Sequence, residues 1–184
     1  MLLDRIENLD IFRPKMDSSK EVLQAIATFQ ADISPAFPYV NAELGGWDYD
    51  QTNQALLLKL SEGKWITLHP HKIAIRGARD LEEAHALMEW IKGQINEIYE
   101  RRDRLTPRYV SQAGLKIMEI LKLLPMTNCK ACGYATCMAF AAALREGEIR
   151  REDCPPLGEE KFREKQVKLQ AYLESFGWRA LDAE

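Results

Sequence analysis

The sequence predicts an α+β protein in which a two-layer α-β-β-β-β-α unit with an antiparallel sheet precedes a small helical domain. Two amphipathic helical patterns enclose four short strand-like runs in the first part of the chain, and all four cysteines fall in the second part. A length of 184 residues allows two small units, because domains cluster near roughly 100 to 150 residues. We place the boundary in the charged segment RRDRL, between residues 1–104 and residues 105–184.

The first helix is predicted in SSKEVLQAIATFQADI, where Ser18 and Glu21 form a capping box. Apolar residues then recur at helical spacing, at Val22, Ala25, Ile26, Phe29 and Ile33. Pro35 and Pro38 follow, and they predict the end of this helix.

Four strands are predicted next, at about Tyr39 to Gly46, Gln54 to Leu60, Lys64 to His69 and Lys72 to Arg76. Their connectors, YDQTN, SEGK and HPHK, carry the residues that tight turns require, so consecutive strands should pair antiparallel. A long helix capped by Asp80 is predicted from Leu81 to about Arg102. We expect this unit to dock to a partner protein.

The second part of the chain is predicted to be helical. Thr106 as cap and Pro107 at the first helical position predict a helix with Val110, Ile117, Leu121 and Leu124 on one face. A closing helix is predicted from Gly158 to Phe176. Between these helices lie Cys129, Cys132, Cys137 and Cys154, in the pattern C-x2-C-x4-C-x16-C-P.

Four thiolates are what a [4Fe-4S] cluster needs, one for each iron, and three closely spaced cysteines can wrap one side of it. The segment after Cys137, MAFAAALREGEI, has helical propensity, so the chain can leave the site as a helix and return to deliver Cys154. Gly133 would permit a positive φ or a close approach to a sulfide, and Pro155 would stiffen the exit from the last ligand.

A structural zinc site is the alternative for four cysteines. A zinc ribbon usually has two separated C-x2-C pairs, whereas here only Cys129 and Cys132 have that spacing. This spacing favours the cluster over zinc. Disulfides are disfavoured because we expect a reducing compartment.

The run LPMTNCKACGYATCMAFAAALREGEIRREDCPPL closely resembles the four-cysteine [4Fe-4S] domain family, found in the large subunit of the corrinoid iron-sulfur protein and in the B subunit of the Rnf complex. The resemblance covers residues 107–157. It implies that Cys129, Cys132, Cys137 and Cys154 are ligands of a [4Fe-4S] cluster that relays single electrons. The family usually has glycine directly after the first cysteine, where this chain has Lys130.

The net charge of −3 and the pI near 5.7 argue against a nucleic-acid partner. No apolar run long enough to span a bilayer is present in the sequence, so we expect no membrane partner and a cytoplasmic protein. We predict a one-electron carrier that serves a corrinoid protein or another metalloenzyme in anaerobic metabolism and is not itself an enzyme. The alternative is a cluster that acts as a structural or sensory element of a regulatory or assembly module.

Overall fold

The computed structural model describes residues 1–14 and 22–178. The chain divides into two compact units, Met1–Tyr109 and Val110–Glu184. The domain boundary predicted after residue 104 lies close to this division.

An antiparallel sheet forms the framework of the first unit. In the described part of the chain its strands are β1 Asn8–Phe12, β2 Leu23–Thr28, β3 Asp48–Asp50, β4 Ala55–Lys59, β5 Trp65–His69 and β6 Lys72–Ala78. The strand order is β1-β2-β6-β5-β4-β3. Ile75 of β6 lies opposite Ala25 of β2 on one side and Ile66 of β5 on the other, so β6 is a central strand.

Two helices, α1 Phe37–Leu44 and α2 Leu81–Glu100, pack against this sheet. Alternate strand residues are buried in one cluster with the apolar face of α2; they include Ala25, Leu56, Leu58, Ile66, Leu68, Ile73 and Ile75 from the strands and Met88, Ile91, Ile95 and Ile98 from the helix. The Asp80 carboxylate accepts the Glu83 N–H at 2.8 Å and caps α2, as the sequence predicts. The predicted α+β class with an antiparallel sheet is confirmed.

The helix predicted from Ser18 to Ile33 is wrong, because Leu23–Thr28 is strand β2. Its alternate residues Leu23, Ala25 and Ala27 are buried, and such a short apolar run fits both the helical and the strand period. Pairing with β1 and β6 on its two sides overrides the local helix propensity. The proposed capping residues Ser18 and Glu21 lie outside the described residues.

The strand predicted from Tyr39 to Gly46 is also wrong, because Phe37–Leu44 is helix α1. Pro38, which the sequence analysis treated as a helix stop, lies in the first turn of α1, where a missing N–H costs nothing. Gly45 ends the helix with a φ of +70°, and its N–H donates to the Asn41 carbonyl at 3.2 Å. The unit therefore has the element order β-β-α-β-β-β-β-α over its described residues.

Three helices, α3 Ile117–Leu123, α4 Cys137–Glu146 and α5 Arg163–Ser175, build the second unit together with short 3-10 turns. Their shared core contains Leu115, Ile120, Leu121, Leu124, Phe140, Ala141, Leu144, Cys154, Leu157, Leu169 and Leu173. The predicted helical character of this part of the chain is confirmed. Within residues 1–14 and 22–178, no helix is long and apolar enough to cross a membrane.

Two helix starts in this region differ from the prediction. The helix predicted to begin at Pro107 begins at Ile117, because the Arg108 N–H donates to the Pro38 carbonyl at 2.9 Å and the Arg108 carbonyl accepts from the Asn41 side chain at 2.7 Å. These bonds take the backbone groups that a helix would use. The closing helix predicted from Gly158 begins at Arg163, after two 3-10 turns.

Candidate metal centre

All four cysteines line one cavity of the second unit. The other residues of its wall are Leu124, Thr127, Asn128, Lys130, Tyr134, Thr136 and Phe140. The four cysteines are free thiols: Cys129 is exposed, Cys132 and Cys137 are half-buried, and Cys154 is buried. The structure thus brings together the four residues that the sequence predicts as ligands.

The loop that carries the first two cysteines has an unusual backbone. Met126, Asn128 and Lys130 have φ values of +59°, +48° and +61°, and Gly133 follows at +83°. Residues that carry a Cβ rarely adopt this left-handed backbone conformation. Loops that contain such residues often hold bound groups. The positive φ expected at Gly133 is confirmed, whereas nothing in the sequence indicated the left-handed residues before it.

The third cysteine, Cys137, is fixed at the start of α4. Its N–H donates to Oδ1 of Asn128 at 2.8 Å, and the Thr136 hydroxyl caps the helix by accepting the Ala139 N–H at 3.1 Å. These two bonds fix the Cys137 backbone and the first turn of α4. Thr136 was not predicted as a cap, although a threonine directly before a helical run is a cap signal.

The fourth cysteine returns to the cavity as predicted. Helix α4 ends at Gly147, which has a φ of +75°, and a 3-10 turn at Arg151–Asp153 leads into Cys154. Pro155 opens the next 3-10 turn, in which the Leu157 N–H donates to the Cys154 carbonyl at 3.0 Å. The backbone on both sides of Cys154 is therefore fixed by short-range hydrogen bonds.

The environments of Cys129 and Cys154 change their thiol pKa values in opposite directions. A hydrogen bond from the Thr127 side chain, followed by the Ala131 N–H, lowers the pKa of Cys129 below its ordinary value. Burial raises the pKa of Cys154, and the charges of the other three cysteines raise it further. A bound metal would reverse this second effect, since a coordinating thiol is deprotonated.

Apolar side chains close the inner wall of the cavity. Leu124 and Phe140 are almost fully buried, and Tyr134 packs edge-on against Phe140 with 6.0 Å between ring centroids. An apolar wall limits the access of water to a bound metal group and influences its redox potential. Lys130, on the other hand, is an exposed residue of the wall.

The donor set fits an iron-sulfur cluster. Four thiols face one cavity, and four thiolates complete the coordination of a [4Fe-4S] group. Among the residues that the structure describes, no three His, Cys, Asp or Glu side chains are arranged to hold a single metal ion. The four thiols therefore share a cavity without converging on one point.

Comparison with known proteins agrees with this site. Residues 124–156 match the family model described as "Putative Fe-S cluster". The chain is 49% identical over 55 residues to the gamma subunit of the acetyl-CoA decarbonylase/synthase complex of Methanocaldococcus jannaschii, covering 30% of this chain and 11% of that protein. The corresponding subunit of Methanosarcina acetivorans is 49% identical over 57 residues, covering 30% of this chain and 12% of that protein.

An uncharacterised protein of Methanocaldococcus jannaschii is 46% identical over 61 residues, which are 33% of this chain and 27% of that protein. The chain thus spans between about a tenth and a quarter of the length of these relatives. No solved structure matches the chain. The cavity and these similarities define residues 124–156 as an iron-sulfur cluster segment, which confirms the predicted resemblance and cofactor class. That the four cysteines are the ligands stays a prediction.

Proposed function

We propose that Cys129, Cys132, Cys137 and Cys154 hold one [4Fe-4S] cluster, and that the protein uses it to pass single electrons between partner proteins. The observation that carries this proposal is the cavity that all four free thiols line. When bound, such a cluster takes up and releases one electron at a time. The relatives are named as subunits of an enzyme complex, which supports a protein partner in anaerobic metabolism. The partner that we propose is a corrinoid protein or another metalloenzyme.

The residues around the thiols have separate tasks in this proposal. Asn128 and Thr136 orient Cys137, and the Thr127 hydroxyl favours the charged form of Cys129. Phe140 and Leu124 exclude water from the inner wall. The Ala131 N–H of this loop hydrogen-bonds the Cys129 sulfur, and such donors would stabilise the added negative charge of a reduced cluster.

Electron transfer is favoured over catalysis by the ligand count. Four cysteine ligands occupy one position on each of the four irons, so no iron keeps an open position for a substrate. We therefore propose that the chain is not an enzyme by itself. Its partners would perform the chemistry that the electrons support.

Metal analysis of anaerobically prepared protein tests the proposal. We expect about four irons and four sulfides per chain and a spin-resonance signal that appears on one-electron reduction and disappears on reoxidation. Cys154→Ser and Cys132→Ser should each lose much of the iron, whereas Met118→Ser, which changes an exposed sulfur side chain of α3 outside the cavity, should retain it. A complete cluster in both cysteine variants would refute the ligand assignment, and stoichiometric zinc would refute the cluster.

A purely structural cluster is the second candidate, and the core of the unit favours it. Cys154 is buried in the same apolar cluster as residues of α3, α4 and α5, and Cys132 and Cys137 pack against that cluster. A metal group held there would connect the three helices and stabilise the fold. The two candidates differ in one measurement, since a structural cluster would show no reversible reduction within the physiological range of potentials.

A further inference from the structure

A positively charged residue lines the cluster cavity. Among the described residues of the wall other than the four cysteines, only Lys130 carries a full charge. Lys130 directly follows Cys129 in the chain. Neighbouring Cα atoms are about 3.8 Å apart, so the Lys130 ammonium group lies on the order of 10 Å from the Cys129 sulfur. A cluster bound by Cys129 would therefore lie near this charge.

The backbone fixes the position of Lys130 in the loop. Its φ is +61°, and its carbonyl accepts the Gly133 N–H at 3.0 Å, which closes the turn that contains Cys132. Glycine adopts a positive φ without strain, whereas a lysine rarely does so. A charged residue in a strained backbone conformation beside a candidate ligand points to a role in function.

The charge of Glu159 also acts at the cavity. The Thr127 side chain lowers the pKa of Cys129 by a hydrogen bond, and the Glu159 carboxylate acts in the opposite direction. Lys161 pairs with this carboxylate at 2.6 Å and partly offsets its charge. No ion pair holds Lys130 within the described residues, so its positive charge is not offset in this way.

The acidic residue beside the buried cysteine is directed away from the cavity. Asp153 precedes Cys154, but its carboxylate accepts the Arg150 N–H at 2.7 Å and Asp153 does not belong to the wall. Burial raises the pKa of Cys154, and the charges that act on it are those of the other cysteines. Lys130 is therefore the charge most directly placed to act on a bound cluster.

We propose that the positive charge of Lys130 raises the reduction potential of a [4Fe-4S] cluster held by the four cysteines. Reduction adds one negative charge, and a nearby cation stabilises the reduced state more than the oxidised one. This inference rests on the proposed function. The donor loses the electron that the cluster gains, no bond is made or broken, and Lys130 itself exchanges no electron.

The test compares midpoint potentials of anaerobically prepared variants, titrated with dithionite in the presence of redox mediators and followed by absorbance and spin resonance. Lys130→Gln removes the charge, Lys130→Arg keeps it and Lys130→Glu reverses it. Lys130→Gly is a second neutral variant in case Lys130→Gln does not hold iron. The control is Lys168→Gln, which removes the same charge from α5, where Lys168 pairs with Glu164 outside the cavity wall.

A unit charge on the order of 10 Å away changes an electron-uptake equilibrium by about twofold in water and by more than about tenfold near a protein surface. We expect Lys130→Gln to weaken reduction about threefold, which lowers the midpoint by about 30 mV at about 59 mV per tenfold. Lys130→Glu should weaken it about ninefold, or about 60 mV. Lys130→Arg and Lys168→Gln should stay within about 1.5-fold of the unchanged protein. Added salt should reduce these differences, because Lys130 is exposed.

Equal midpoints in Lys130→Gln, Lys130→Glu and the unchanged protein would overturn the inference and leave the electron-carrier role intact. A loss in Lys130→Arg as large as in Lys130→Gln would show that geometry and not charge is responsible, and would overturn it too. A loss in Lys168→Gln equal to that in Lys130→Gln would show a general effect of net charge, with the same consequence. If the unchanged protein cannot be reduced reversibly, the carrier role itself is refuted and the inference fails with it.

Discussion

Oδ1 of Asn128 accepts the backbone N–H of Cys137 at 2.8 Å and so joins the loop of Cys129 and Cys132 to the first turn of α4. This bond crosses from the most irregular segment of the second unit to one of its helices. It sets where the third thiol stands relative to the first two. The Asn128 side chain therefore has a structural role that the cysteine spacing alone does not indicate.

Asn128→Ala should lower the free energy of unfolding by about 1 kcal/mol, because the exposed hydrogen bond to the Cys137 N–H is lost and alanine tolerates the left-handed backbone less well than asparagine. Asn128→Gly removes the bond but accepts the φ of +48°, so it should be less affected. Urea unfolding and the rate of iron loss to a chelator measure both effects. Equal stability of the alanine variant and the unchanged protein would show that this bond contributes nothing.

Lys130→Gly should stabilise the protein. Lysine at a φ of +61° is strained by about 1 kcal/mol or more, and glycine removes that strain at a smaller cost in unfolded-state entropy. The same change at Lys168, inside α5, should instead cost about 1 kcal/mol. Urea midpoints of the two variants should therefore move in opposite directions, and a decrease in both would contradict the strain at Lys130.

The stability of the first unit should decrease in acid through Glu83. Burial acts to raise the pKa of Glu83, but hydrogen bonds from Arg79 and Lys64 outweigh it and lower the pKa from 4.5 to about 2. Glu83 accepts the Arg79 N–H at 2.6 Å and lies 3.0 Å from Nζ of Lys64. Because the folded pKa is the lower one, this contribution is complete above pH 4.5 and is lost as the pH falls toward 2.

Glu83→Gln should accordingly lower the free energy of unfolding by about 1 to 3 kcal/mol at neutral pH, and the difference from the unchanged protein should close in acid. Tryptophan fluorescence during urea unfolding reports this, since Trp47 and Trp65 belong to the same unit. Glu97→Gln, at a side chain that is 63% exposed, is the control. A difference that persists below about pH 2 would refute the assignment of the acid loss to Glu83.

Gly114→Ala should destabilise the second unit. A Cβ at this position would lie 2.6 Å from Cε1 of Phe176, so the ring that packs edge-on against Tyr172 would have to move. Such overpacking costs about 1 to 3 kcal/mol. Gly93→Ala in α2 meets no atom within 4 Å and should stabilise by about 1 kcal/mol; thermal unfolding should separate the two variants by sign.

The elements that were predicted correctly are those whose sequence patterns fit only one kind of secondary structure. Strands β5 and β6 alternate between apolar and polar residues, tight turns separate β4, β5 and β6, and Asp80 marks the start of α2. The apolar residues of Leu23–Thr28 fit both the helical and the strand period. The position of Pro38 in the first turn of α1 depends on how the chain enters that helix. Strand pairing and helix entry are decided by distant parts of the chain, which local patterns do not contain.

The candidate site likewise has some features that local sequence patterns predict and others that they do not. Cysteine spacing predicts which thiols meet, because the ligand count and the intervening helix are local properties. The exposure of Met126 and Met138 was not predicted, since both are apolar residues of an ordinary kind, one in the left-handed loop and one in α4. Exposure is a property of the assembled unit rather than of a motif.

The four thiols form a sequence from the rim of the cavity to its interior, from exposed Cys129 to Cys154 at 7% exposure. Access and ionisation both favour attack at the rim, because only the accessible thiolate is nucleophilic. Iodoacetamide should therefore modify Cys129 of the metal-free protein first and Cys154 last, and peptide mass spectrometry would give this order. The thiols of the cavity therefore differ in reactivity with depth: oxidants that arrive from solvent reach the outermost sulfur before the sulfur that lies in the three-helix core.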